Sequence, residues 1–262
     1  MASDPKIVTM SPDGGSLLLG TESGEMLAVV AKTGATKWIQ NVGETVPDHW
    51  TFCMTPDGSS VVFWASDGHM HALSAATGEE TWRYDPGAAP FDWNFSVTPD
   101  GATLFYSRDD HSLEAISISS GRLCWSTDLG EESSGAVLST PSFVIVQPDG
   151  TKVYVGSSVG RLQALDVVSG RRLWATLIGN SQLVTSVLSP DGAIIFVADG
   201  DKKIHAVETS FGEIKWSYDG ANAFALDPLT IDSHGARIFF WNLQGGLEAL
   251  SAFDGKPVWA SQ

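Results

Sequence analysis

The stretch Ala164-Leu-Asp-Val-Val-Ser-Gly170-Arg-Arg-Leu-Trp174 sets an alanine, a glycine six residues on and a tryptophan four after that. The same spacing recurs at Ala28–Gly34–Trp38, Ala72–Gly78–Trp82, Ala115–Gly121–Trp125, Ala206–Gly212–Trp216 and Ala249–Gly255–Trp259. Successive tryptophans stand 44, 43, 49, 42 and 43 residues apart. A period of this length, carrying turn residues and short apolar runs, is the sequence form of a propeller blade. It predicts an all-β chain, a β-propeller of six four-stranded blades.

Working outward from the motif, the first blade reads as four strands: Ile7-Val-Thr-Met10, Ser16-Leu-Leu-Leu-Gly20, Met26-Leu-Ala-Val-Val-Ala31 and Thr36-Lys-Trp-Ile-Gln40. A Pro-Asp-Gly turn joins the first two. It returns at Pro56, Pro99, Pro148 and Pro190, and drifts to Ser233-His234-Gly235 in blade six. Proline presets the first corner, aspartate bonds its own backbone and glycine takes the left-handed position. The repeats cover 1–262 as one propeller domain, with blades near 7–40, 50–84, 93–127, 142–176, 184–218 and 226–260. The six repeat tryptophans, Trp38, Trp82, Trp125, Trp174, Trp216 and Trp259, are expected to dock one blade on another. Burying an indole of ~150–250 Å² at ~25 cal/mol/Å² stabilises by roughly 4–6 kcal/mol as an upper bound.

Composition narrows the partners. The chain has 262 residues, 43% of them hydrophobic, and a net charge of −16 from 31 acidic and 15 basic residues. Such an excess disfavours nucleic acid and anionic membrane, both of which call for a basic patch. No apolar run approaches the ~20 residues that span a bilayer. Met1-Ala-Ser-Asp-Pro-Lys6 lacks the form of a secretory signal. As it stands the sequence reads as cytoplasmic, or as periplasmic or extracellular if a signal has been removed. Cys53 and Cys124, 71 residues apart, fit a reducing compartment without deciding it.

The repeat resembles the tryptophan-docking repeat of the pyrroloquinoline-quinone-like β-propellers, with Gly160-Arg-Leu-Gln-Ala164-Leu-Asp166, Ser169-Gly170 and Trp174 the nearest copy. That family includes quinoprotein alcohol dehydrogenases and the propeller lipoprotein of bacterial outer-membrane assembly. Trp-Asp repeat propellers match less well, since no repeat tryptophan is followed by aspartate. The resemblance implies eight blades, so six repeats predict a smaller ring. The sequence starts on a blade's first strand and ends just after its last, so no strand is obviously lent across the seam, and it reads either as complete with a weak seam or as part of a longer chain. In the enzymes of the family, the resemblance implies an adjacent cysteine pair, a calcium held by acidic and amide side chains, and a catalytic aspartate. None of these can be placed on a residue of this chain. The sequence also lacks a Gly-x-Ser-x-Gly, a His-Glu-x-x-His, a phosphate loop and a Cys-x-x-Cys. No catalytic, cofactor or metal residue is therefore assigned. A quinone-dependent dehydrogenase with calcium, or a small-molecule or sugar-binding relative, stands as the alternative.

Four tryptophans lie outside the repeat: Trp50, Trp64, Trp93 and Trp241. Seven residues before the Asp (or His234) of each Pro-Asp-Gly turn the column reads Lys6, Trp50, Trp93, Ser142, Val184, Asp227. Seven after, it reads Gly20, Trp64, Ser107, Gly156, Ala198, Trp241. Both columns fall at the end of the blades that carries the variable loops, where function more often sits. His49 and Asp48 adjoin Trp50, and Asp92 adjoins Trp93. Asp67 and His69 follow in blade two, and Asp109, Asp110 and His111 in blade three. Tryptophan with a few charged groups around a concave mouth suits a recognition surface. The same rings would equally plug the channel or pad the blade interfaces. The residues before the motif alanines are Leu27, His71, Glu114, Gln163, His205 and Glu248, and these predict structural pairs, His71 with Glu114 and His205 with Glu248. The expected function is a non-catalytic scaffold that binds a protein or peptide through the rim of blades two and three.

Overall fold

The computed structural model describes residues 5–21, 24–42, 52–65, 67–87, 95–108, 111–130, 141–219, 229–242 and 245–261. It is a β-propeller of six four-stranded antiparallel blades, each a simple meander. Blade one is β1 (Pro5–Met10), β2 (Ser16–Thr21), β3 (Glu25–Val30) and β4 (Thr36–Asn41). Blade two is β5 (Phe52–Met54), β6 (Ser60–Trp64), β7 (Met70–Ser74) and β8 (Glu80–Tyr84). Blade three is β9 (Ser96–Val97), β10 (Thr103–Ser107), β11 (Ser112–Ser117) and β12 (Arg122–Asp128). Blade four is β13 (Pro141–Val146), β14 (Lys152–Ser157), β15 (Arg161–Asp166) and β16 (Arg172–Leu177). Blade five is β17 (Leu183–Leu188), β18 (Ile194–Asp199), β19 (Ile204–Glu208) and β20 (Ile214–Tyr218). Blade six is β21 (Thr230–Ile231), β22 (Arg237–Trp241), β23 (Leu247–Ser251) and β24 (Pro257–Ala260). Two compact units divide the chain: Met1–Asp109 with Glu114–Ser126, and Asp110–Leu113 with Thr127–Gln262.

Within each unit the core lies between successive blades. Leu18, Met26 and Trp38 of blade one pack with Val61, Phe63 and Leu73 of blade two. Tyr154 and Leu162 of blade four pack with Ile195 and Val197 of blade five. Central strands are covered on both faces, so β6, β14 and β18 are nearly continuous runs of valine, isoleucine and aromatics. Outer strands alternate in exposure instead, as in β16, where Arg172, Trp174 and Thr176 are half-buried and Leu173, Ala175 and Leu177 are exposed. Among the described residues no helix is long and apolar enough to cross a membrane.

The motif's three residues serve two different joints. Five of the alanines stand opposite their own blade's tryptophan across the last strand pair: Ala28↔Trp38, Ala72↔Trp82, Ala164↔Trp174, Ala206↔Trp216 and Ala249↔Trp259. Four of the glycines receive the indole of the preceding blade within the same unit, while Gly34 has nothing within 4 Å of where its Cβ would stand. Trp38 covers Gly78, Trp82 covers Gly121, Trp174 covers Gly212 and Trp216 covers Gly255, with room for a Cβ only 2.5–2.6 Å from the ring. The indole N–H donates to the carbonyl three residues before that glycine, on Ala75, Ile118, Thr209 and Ala252 respectively.

A second layer of joints runs through the Pro-Asp-Gly turns. Pro12, Pro56, Pro148 and Pro190 each lie against the turn glycine of the next blade. A Cβ on Gly58, Gly101, Gly192 or Gly235 would stand 3.1–3.3 Å from the proline Cδ. The turn aspartates are held by their own turns. Hydroxyls of Ser11, Thr55, Thr98 and Ser189 donate to Asp13, Asp57, Asp100 and Asp191 at 2.5–2.6 Å. These bonds, with the backbone amides two residues on, hold the four carboxyls below the usual carboxylate value of 3.8. At Asp149 burial pushes upward, and the Thr151 hydroxyl and amide outweigh it. Because these folded values are depressed, the stability they contribute is in force above the ordinary carboxylate range. It is lost as pH falls through the folded values. Melting temperature should be flat between about pH 7 and pH 5 and fall below about pH 4, and Thr55→Val with Thr98→Val should make that acid limb shallower. An acid limb unchanged in the double variant would show that the turns do not set it.

Candidate functional site

Antiparallel meandering puts the Pro-Asp-Gly and Thr-Gly turns at one end of every blade, and the second-to-third-strand loops at the other. In blade two that loop delivers Asp67 and His69 beside His71 of β7 and Glu80 and Arg83 of β8. His71 stands directly opposite Arg83 in the β7–β8 ladder. Its Nδ1 lies 2.6 Å from Glu80 Oε2, and its Nε2 lies 3.2 Å from both oxygens of Asp67. A neutral ring donates to one of these carboxylates, and a doubly protonated ring to both. Asp67 also accepts from Arg83 Nη2 at 2.9 Å and from the His69 amide at 3.0 Å. Burial alone pushes the Asp67 carboxyl up. The His69 amide, the His71 side chain and the charges of His71 and Arg83 together bring it below its usual value.

His69 completes the network. Its Nδ1 sits 2.9 Å from the Asp67 carbonyl and 3.1 Å from Arg83 Nη2, and its Nε2 lies 3.8 Å from Asp85. Exposure grades outward along this cluster, from 9% for the His71 side chain through 47% for Arg83 to 72% for Asp85. The buried histidine orients Asp67, Asp67 orients the guanidinium, and both charge signs reach solvent within a few ångströms. Fixed polar groups of this kind select a partner by charge pattern. Arg83, Glu80 and Asp85 were not singled out in the sequence. The available signal was the strand pairing that sets Arg83 across from His71.

The four extra tryptophans separate. Trp64 is 2% exposed, stacks on Phe95 at 6.0 Å and meets Tyr106 edge-on at 5.2 Å. It ends β6, a strand covered on both faces, and so belongs to the core rather than to a contact surface. Trp241 is 48% exposed and lies in the second unit. Trp50, Trp93, His49 and Asp92 lie outside the described residues, as do Asp48, Asp109 and Asp110. His111 takes φ of 67°, the left-handed place that Gly24, Gly68, Gly160 and Gly245 fill in other blades. Its carbonyl accepts the Leu129 amide at 2.9 Å.

The expected pairs His71–Glu114 and His205–Glu248 do not form. Glu114, 1% exposed, takes the Tyr84 hydroxyl of blade two at 2.8 Å, Arg108 Nη1 at 2.6 Å and the Tyr106 hydroxyl. The link between blades is thus made by Tyr84, two residues beyond the repeat tryptophan, rather than by His71. In blade five His205 turns to Asp199 at 3.1 Å and Ser217 at 2.8 Å, while Glu248 accepts from Asn242 at 2.7 Å. Threonines at the same place as Tyr84 donate to backbone instead, Thr127 to the Gly170 carbonyl and Thr176 to the Gly212 carbonyl, each at 2.8 Å.

Among the described residues no three His, Cys, Asp and Glu side chains converge as a metal site. The two cysteines are far apart in sequence, Cys53 intermediate in exposure with its thiol pushed up to about 12 by burial, and Cys124 exposed.

Comparison with known proteins agrees with this architecture. The sequence family described as outer membrane protein assembly factor BamB matches residues 4–218 and 180–262. Among solved structures, BamB from Moraxella catarrhalis superposes with a TM-score of 0.69 at 20% identity, covering 99% of this chain and 77% of that one. The Cps50 (Swd1) β-propeller domain of Myceliophteria thermophila also gives 0.69, at 11% identity, covering 100% and 87%. At these identities the likeness is one of fold. No curated protein matches the chain.

Proposed function

This chain belongs to the outer membrane protein assembly factor BamB family, and we propose that it is a non-catalytic scaffold holding a protein or peptide on the variable-loop end of blades two and three. The observation that carries this reading is the blade-two network. Arg83, His69 and Asp85 face solvent in fixed relation, braced by Asp67 on the buried His71. The repeat residues, by contrast, are occupied in holding blades together. The family's description, an assembly factor, also suits a protein that works through other proteins.

Trp50 and Trp93, which precede β5 and β9 in the sequence, supply the aromatic anchors in this proposal, with His49, Asp92, His69 and His111 as polar company. A Trp50→Ala, Trp93→Ala double variant should melt as the wild type does and lose its partner in a pull-down from the source organism. Arg83→Glu should weaken the same capture about tenfold or more, because it reverses a charge that Asp67 holds in place. Undiminished recovery by both variants would reject this surface.

A further inference from the structure

The opposite end of the second unit carries an apolar cleft that the scaffold reading does not use. Turns between the third and fourth strands of blades four, five and six present Val168, Phe211 and Phe253 at 85%, 73% and 93% exposure. The corresponding turns of blades one to three carry Lys32-Thr33, Ala76-Thr77 and Ser119-Ser120. An aromatic ring left almost wholly in water forfeits its burial energy, and a cluster of such rings beside a hollow marks a contact site. Here the hollow exists. Phe253 borders two adjoining hollows, one of about 540 Å³ walled also by Pro190 and Phe196 and one of about 520 Å³ walled also by Ala206, Trp216 and Lys215, with Ile194 and Ala252 lining both. The matching groove between blades one and two is about 240 Å³ and has Ala76 where blade six has Phe253.

Charge identifies the occupant. The two lysines at this cleft are already paired, Lys215 with Glu208 and Lys256 with Asp254. Asp191, on the cleft wall, bonds to the Ser189 hydroxyl and the Ala193 amide, and no lysine or arginine among the described residues pairs with it. The pairing with Lys256 occupies Asp254, whose carboxyl that ammonium holds down to about 2. The cleft therefore offers apolar walls with the Asp191 carboxylate at the lip. The net charge of −16 sets two copies of the chain, or an anionic lipid surface, against each other. We propose that the cleft between blades five and six receives an extended cationic peptide segment whose apolar side chains pack against Phe253 and whose lysines or arginines meet Asp191.

The test uses the intact chain and a fluorescein-labelled probe peptide, Lys-Leu-Lys-Phe-Lys-Leu-Lys, read by fluorescence anisotropy and by the methyl resonance of Ile194. The probe should bind saturably and shift Ile194. Phe253→Ala, a change at an exposed turn, should weaken it about tenfold with an unaltered melting curve, and Phe253→Leu should weaken it less. The proposal is overturned if Phe253→Ala binds as the wild type does, or if Lys-Gly-Lys-Gly-Lys-Gly-Lys binds equally well, the mark of charge alone. It is also overturned if Glu-Leu-Glu-Phe-Glu-Leu-Glu binds equally well. Pelleting with neutral phosphatidylcholine vesicles, or a dimer that Phe253→Ala abolishes, would assign the cleft to lipid or to a second copy and equally overturn it.

Discussion

Trp174→Ala is expected to destabilise the chain by about 3–5 kcal/mol, lowering the melting temperature by roughly 10 °C. The ring lies over Gly212, its N–H donates to the Thr209 carbonyl at 3.0 Å, and Tyr154 packs against it with ring centroids 5.9 Å apart. Truncation leaves a cavity between blades four and five and leaves the Thr209 carbonyl with Lys152 Nζ, at 3.2 Å, as its remaining side-chain donor. Gly212→Ala attacks the same joint from the other side. Its φ of +77° is one that side chains rarely adopt, and the new Cβ would stand 2.5 Å from the indole. Once the ring is gone, its share of the clash goes with it, while the approach of Thr176 Oγ1 at 2.6 Å and the backbone strain remain. The double variant should therefore lose distinctly less than the sum of the two single losses. Urea denaturation of all four proteins checks this, and strict additivity would mean that the ring and the glycine do not form one joint.

The second large effect is expected at Glu114. Glu114→Ala withdraws the acceptor shared by the Tyr84 and Tyr106 hydroxyls and the Arg108 guanidinium, whose side chain is 19% exposed. Removing one member of a buried, hydrogen-bonded charge pair costs about 3–5 kcal/mol, mostly from the partner left behind. Glu114→Gln keeps an acceptor oxygen and should cost less. A specific signature distinguishes this from a simple packing loss. Burial first, and then Glu114, push the Tyr84 hydroxyl up to about 12 from an ordinary 10.0. The folded value is raised, so the stability it brings is present below the ordinary tyrosine value and is lost as pH climbs through about 12. In Glu114→Gln, ultraviolet titration should find Tyr84 only part of the way back to its ordinary value, since burial remains. A Tyr84 titration unmoved by the substitution would contradict the geometry.

Much of the fold was legible because the joint that holds the blades together is also the repeat. A ring, a glycine and a turn are each hard to replace, so their spacing persists through blades that otherwise differ. Which ring meets which glycine was not legible. In a periodic sequence Trp174 bears the same relation to Gly170 and Gly212, and only the stacking of successive blades selects the second. The polar column shows a different limit. Residues at the same place in successive blades suggested His71 with Glu114. Side-chain reach decided otherwise: Asp67 and Glu80 lie within the histidine's own blade, while tyrosine is long enough to cross from Tyr84. Trp64 looked like a departure at the rim, and the covering of both faces of β6 makes it core. Phe211 and Phe253 were not singled out in the sequence, since hydropathy does not tell a buried ring from an exposed one. Of the candidate surface, Asp67 and His69 were found in the sequence, while the arginine that gives them a partner-facing charge came from strand register.

The central claim is a division of labour, in which the repeat carries stability and the blade-two and blade-three departures carry recognition. Hydrogen exchange of the intact chain, alone and with the protein it captures from its own cell extract, tests it most directly. New protection is expected in peptides covering 43–51, 65–71 and 88–95, with the Trp–Gly joints unchanged. Protection confined to the Pro-Asp-Gly turns or to the outer strands, with those three segments exchanging as before, would contradict it.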